Sequence, residues 1–119
     1  MASPAQTIRV FGGYLIVLSV ALIFAPSLLL TPFGIPTPTD VWIRVTGMLV
    51  GFLGMYYILA ASAGLVPFFR WSVPARLSVL VFFGAFVGIG LAPPMLLLFA
   101  LIDAAGAIWT WFALKQLRT

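Results

Sequence analysis

The sequence predicts an all-α integral membrane protein, a four-helix bundle forming a single domain over residues 1–119. Three observations predict it. First, 64% of the residues are hydrophobic and 7% charged, whereas soluble domains sit at about 45–50% apolar and about 25% charged. Eight charged side chains cannot furnish a water-facing surface for 119 residues, so the apolar excess must face lipid. The mean hydropathy of +1.24 says the same. Second, four apolar stretches are each long enough to cross about 30 Å of hydrocarbon at roughly 1.5 Å per residue. Third, the segments between them carry the residues that stop helices or sit at membrane edges.

The first stretch runs over Ile8–Leu30. Its apolar run exceeds the roughly 7–15 residues of a signal-peptide core, so it is expected to remain as a membrane helix. Pro26, late in this run, is expected to kink or end it. Residues 31–40 follow with Pro32, Pro36, Pro38 and Gly34, a composition that cannot continue a helix. Thr39 or Asp40 can cap the second helix, expected over Val41–Ala63. Between the second and third helices lie Pro67, Arg70 and the aromatics Phe68, Phe69 and Trp71. Ser72 followed by Pro74 reads as a helix start, placing the third helix over Pro74–Leu91. Ala92-Pro93-Pro94 is a tight turn into a fourth helix over Pro94–Leu114.

The six basic residues set an orientation. Arg9, Arg70, Arg76, Lys115 and Arg118 fall on the side holding both termini, and Arg44 alone falls opposite. By the positive-inside rule this predicts a fixed topology in the inner (plasma) membrane with both termini cytoplasmic. Tyr14, Trp42, Trp71, Trp109 and Trp111 lie near predicted membrane edges, where amphipathic rings are favoured.

The inventory narrows function. Without cysteine there are no disulfides, thiolate metal sites or cysteine nucleophiles. Without histidine, the commonest haem and zinc ligand and the usual general base near neutral pH are missing. Asp40 and Asp103 are the only acidic side chains and lie far apart in the chain, so paired-carboxylate chemistry is not expected. The net charge of +4 is spread over helix ends without a basic run, which argues against nucleic-acid binding. No metal or cofactor is expected, although the many aromatics and glycines leave room for a lipid, quinone or pigment between helices.

Two features stand out within the helices. Arg44, Gly47, Gly51 and Gly54 share one face of the second helix; Gly84 and Gly88 form a small-residue pair on the third; Gly106 and Ala107 follow Asp103 on the fourth. Small residues at this spacing let two backbones approach closely, which drives helix association in lipid. Such faces serve either internal packing of the bundle or docking of another subunit. Asp103 lies near the membrane midplane, where an acid costs at least ~2.5–3.5 kcal/mol on insertion scales and is a candidate for function. Arg44 is its expected partner, entering from the same side at a depth difference of roughly 9 Å, with Arg76 the more distant choice.

Three stretches together, Trp42-Ile43-Arg44-Val45-Thr46-Gly47 leading into Gly54-Met55-Tyr56-Tyr57, Phe69-Arg70-Trp71-Ser72-Val73-Pro74-Ala75-Arg76, and Asp103-Ala104-Ala105-Gly106-Ala107-Ile108-Trp109-Thr110, resemble the small bacterial four-helix membrane proteins grouped as DoxX-like. The resemblance spans most of the chain. It implies a compact four-helix bundle without an established reaction. The poor catalytic inventory, the short loops and the small-residue faces lead to the expectation of a non-catalytic accessory subunit of a larger membrane complex, in contact with membrane lipids. The alternatives are a small oligomeric transporter or channel using Asp103, and a lipid-, quinone- or pigment-binding protein.

Overall fold

The computed structural model describes residues 2–116; Arg118, counted above among the basic residues, lies outside them. The elements are α1 (Pro4–Phe24), a short α2 (Pro26–Leu30) continued by a 3-10 turn (Thr31–Phe33), α3 (Trp42–Ala63), α4 (Val66–Gly88), and α5 (Leu97–Gln116) preceded by a 3-10 turn (Pro94–Leu96). Four of the helical segments are long and apolar enough to span a membrane. The chain is thus a four-helix transmembrane bundle.

α1 starts earlier than its apolar run. Ser3 accepts from the Gln6 amide at 3.2 Å while the Gln6 side chain accepts from the Ser3 amide at 2.9 Å. This reciprocal capping box, with Pro4 in the first turn, fixes the start before Ile8. The helix then ends at Phe24 rather than running to Leu30, because Ala25 leaves the helical region and Pro26 begins a new, short turn. α3 lies within a residue of its expected bounds. Asp40 helps to start it, its Oδ1 accepting from the Trp42 amide at 3.2 Å.

The third span departs most from expectation. α4 begins at Val66, eight residues before Pro74, and Pro74 lies inside it. Gly64 takes a left-handed conformation (φ 65°) at the end of α3, and the Leu65 amide reaches back to the Ala60 carbonyl at 3.1 Å. This closure ends α3 and turns the chain within two residues. Pro67 then sits in the first turn of α4, where no amide partner is lost. Ser72 is accordingly not a cap. Its hydroxyl donates to the Phe69 carbonyl within the helix, at 2.7 Å. Pro74 is exposed, and its ring removes the amide that would reach back to the carbonyl of Arg70, in the second turn of α4. The shift carries Arg76 from the membrane edge to the middle of α4 and buries it, so it no longer counts among interfacial charges.

α1 packs along α3 and α4 along α5, and the two pairs join chiefly through α1 and α5. The core lies toward the end holding the termini, with Ile8, Phe11, Leu15, Tyr57, Ala60, Phe69, Val73, Ala107 and Leu114 in mutual contact. At the other end Phe33 packs on Phe99, their ring centroids 5.0 Å apart, and so ties the long connection to α5.

The α1–α3 seam is built on glycine. A Cβ on Gly54 would stand 2.9 Å from the Gly12 carbonyl oxygen, and one on Gly12 would stand 3.0 Å from that of Gly54. Gly47 meets Leu22 and Ile23 as closely, at 2.9 Å. Ser19 crosses the seam, donating to the Gly47 carbonyl at 2.6 Å. By contrast, a Cβ on Gly84 or Gly88 would meet nothing within 4 Å, so this pair makes no helix contact inside the bundle. Gly54→Ala should therefore destabilise by about 1–3 kcal/mol through overpacking against backbone. Gly84→Ala should be neutral or stabilising by up to ~1 kcal/mol through helix propensity. Unfolding of both variants in detergent micelles checks this; equal effects would refute the seam.

Candidate functional site

Arg76 is the centre of the polar interior. It is 3% exposed at the middle of α4, directed toward α1 and α5. Its position one helical turn after Ser72 brings the two side chains together. Arg76 Nη2 donates to Ser72 Oγ at 3.0 Å and to Thr110 Oγ1 of α5 at 2.8 Å. Arg76 Nε donates to the Ser72 carbonyl at 3.3 Å. The guanidinium carbon lies 4.8 Å from the centroid of the Phe11 ring and 5.7 Å from that of Tyr57. Ring faces from α1 and α3 thus supply negative quadrupole to a desolvated cation, an interaction worth about 2 kcal/mol in such surroundings.

The hydroxyls form a directed chain. Thr7 Oγ1 donates to the Pro4 carbonyl at 2.7 Å. Its single proton being used there, Thr7 must accept in its 2.8 Å contact with Thr110 Oγ1. Thr110 therefore donates to Thr7 and accepts from Arg76. Both threonines are fully buried, and each bond polarises the next. The chain links α4, α5 and α1 at one level of the bundle.

One part of the guanidinium is left over. Arg76 Nη1 is buried and has no hydrogen-bond partner. It points toward the helix face left open by Gly106, where a Cβ would stand 3.2 Å away. Asp103, one turn before Gly106 on α5, is half-buried and within electrostatic reach of Arg76, Tyr14 and Tyr57. Among the described residues no cation is paired with Asp103 at ion-pair distance.

The expected Arg44–Asp103 pair is not what the structure builds. Arg44 Nη1 donates instead to the Ile23 carbonyl of α1. The cause is local. The break at Ala25–Pro26 leaves the last carbonyls of α1 without amide partners, and a cation at a helix C-terminus satisfies them favourably. The cation beside Asp103 is Arg76. Gly47, Gly51 and Gly54 lie against α1; Gly106 makes room for Phe11 and Arg76; Ala107 is fully buried in the core. Sequence reasoning missed Thr7, Ser72, Ser19, Phe11 and Gly12. The Ser72–Arg76 spacing was a usable signal, but the reading of Pro74 as a helix start hid it.

The fold and this interior define a class: a small four-span helical membrane bundle in which Arg76 is, among the described residues, the one buried cation. No protein-family model matches the chain, and no curated protein and no solved structure matches it.

The hydroxyl chain makes a direct prediction. Thr110→Val removes an acceptor from Arg76 and a donor from Thr7, and should cost about 1–2 kcal/mol. Thr110→Ser keeps the hydroxyl and should cost much less. Chemical or thermal unfolding in micelles separates the two, and equal losses would refute the chain.

Proposed function

We propose that the chain is a non-catalytic accessory subunit that docks through the second half of α4 onto a larger protein complex of a bacterial inner (plasma) membrane, with both termini cytoplasmic. The observation that carries this reading is the stretch Leu77–Gly88. None of its residues is buried, and Gly84 and Gly88 open onto empty space. Glycine in a helix interior costs up to ~1 kcal/mol relative to alanine. A face that meets only lipid recovers none of that cost, whereas a partner helix recovers it by close approach. The glycines of the α1–α3 seam recover it in this way inside the bundle. The orientation rests on Arg9, Arg70 and Lys115 at the termini end against Arg44 at the other. The lack of histidine and cysteine, and the separation of exposed Asp40 from half-buried Asp103, support a role without catalysis.

The double variant Gly84→Leu/Gly88→Leu tests the reading. The isolated bundle should keep its unfolding midpoint, while proteins co-purified in mild detergent at native expression should be lost. Recovery of the wild-type chain as a lone monomer would sink the proposal.

A second reading has its own observation. Asp103 sits half-buried at mid-depth beside Arg76, an arrangement suited to an ion or proton site in a small oligomeric transporter or channel. In that case Asp103→Asn should abolish proton-coupled flux in proteoliposomes. Unchanged flux would exclude it.

A further inference from the structure

The end of the bundle that carries the termini holds a groove of about 310 Å³ between α4 and α5, lined by Arg70, Val73, Pro74, Trp111, Leu114 and Lys115. Its chemistry changes with depth. Arg70 lies in the second turn of α4 and Lys115 in the last turn of α5, so both cations stand near the helix ends. Val73, Trp111 and Leu114 lie at or farther inside that level, and Val73 and Leu114 are buried. The Lys115 ammonium is held 4.4 Å from the centroid of the Trp111 ring, which fixes it over the groove. Arg70 makes no ion pair or hydrogen bond from its guanidinium among the described residues.

No acidic side chain answers these two cations. Asp40 lies in the connection before α3, at the opposite end, and Asp103 lies at mid-depth of α5. The groove therefore offers two positive charges that no acidic side chain neutralises, above an apolar and aromatic wall. A phospholipid has the same profile, with an anionic phosphate at the surface and an acyl chain beneath it. Guanidinium and ammonium groups at headgroup depth recognise such phosphates, the guanidinium through paired N–H donors.

We propose that the α4–α5 groove binds one anionic phospholipid, its phosphate held between Arg70 and Lys115 and its acyl chain lying along Val73, Pro74 and Trp111. A second groove, between α1 and α5, provides an internal contrast. It has about 400 Å³ and is lined by Ala2, Gln6, Arg9, Val10 and Trp109. It has a tryptophan but one cation, and its Gln6 is engaged in the cap of α1. It should hold lipid without preference for charge.

The test uses the full chain in nanodiscs of equimolar dioleoyl phosphatidylglycerol and dioleoyl phosphatidylcholine. Native mass spectrometry reads the lipid retained after release. The wild-type chain should keep phosphatidylglycerol with an enrichment on the order of tenfold. Arg70→Gln/Lys115→Gln should bring the retained lipid to the bulk ratio, Arg70→Lys/Lys115→Arg should keep the enrichment, and Arg9→Gln should leave it intact. Wild-type retention at the bulk ratio overturns the proposal without any variant. So does enrichment that survives the double glutamine change, or that Arg9→Gln removes equally. Millimolar inorganic phosphate should leave the bound lipid in place; displacement by phosphate would make the site one for a free anion and overturn the lipid assignment.

Discussion

Arg76 carries a charge into the middle of a helix that lies in lipid, where a cation costs about 2.5–3.5 kcal/mol on insertion scales. That cost is offset only if the neighbours are arranged around it. Ser72 one turn earlier, Thr110 from α5, and the Phe11 and Tyr57 rings from α1 and α3 supply the arrangement. Each of the four spanning helices contributes. The guanidinium therefore fixes the rotation of each helix about its own axis, which hydrophobic contact in lipid does not do. Thr7 and Gly106 follow from the same need. Thr7 accepts a hydrogen bond from the Thr110 hydroxyl, and Gly106 leaves room for Phe11 and the guanidinium.

The glycine seam and the Arg76 cluster divide the labour. Gly12, Gly47 and Gly54 bring α1 and α3 into backbone contact, where dispersion supplies the attraction that hydrophobic burial cannot supply in a bilayer. The cluster then joins that pair to α4 and α5. Between them the core is concentrated at the termini end. No residue of the second half of α4, Leu77–Gly88, is buried, and its Gly84 and Gly88 face open space. The bundle is thus tight at one end and has an unclaimed helix face toward the other. Arg44, close to the Pro26 break, closes the far end of α1 by answering a carbonyl that the interrupted helix leaves unpaired.

Much of the fold was legible because its causes are local. Four spans, the bounds of α3 and the break at Pro26 follow from apolar length and from proline chemistry. The start of α4 was misread because proline has two admissible readings. Pro74 can begin a helix or sit exposed within one, and Gly64 with Pro67 decided for the second. That displacement of eight residues moved Arg76 from the membrane edge to the interior. It also explains why the site was only half legible. Asp103 was recognisable as an intramembrane acid, whereas its cationic neighbour was assigned to the wrong helix.

By itself the sequence determined the solvent in which this protein folds, the number of its crossings and the poverty of its catalytic inventory, because those depend on composition and on runs of neighbouring residues. The tertiary structure alone decided which glycines are filled and which are open, and which arginine enters the interior. Gly54 and Gly84 look alike in the chain, and so do Arg44 and Arg76. They differ only in what another helix places opposite them: the Gly12 carbonyl or nothing, an orphaned carbonyl of α1 or a slot of rings and hydroxyls. Helical periodicity assigns a residue to a face, but the partner of that face is set by contacts between distant segments.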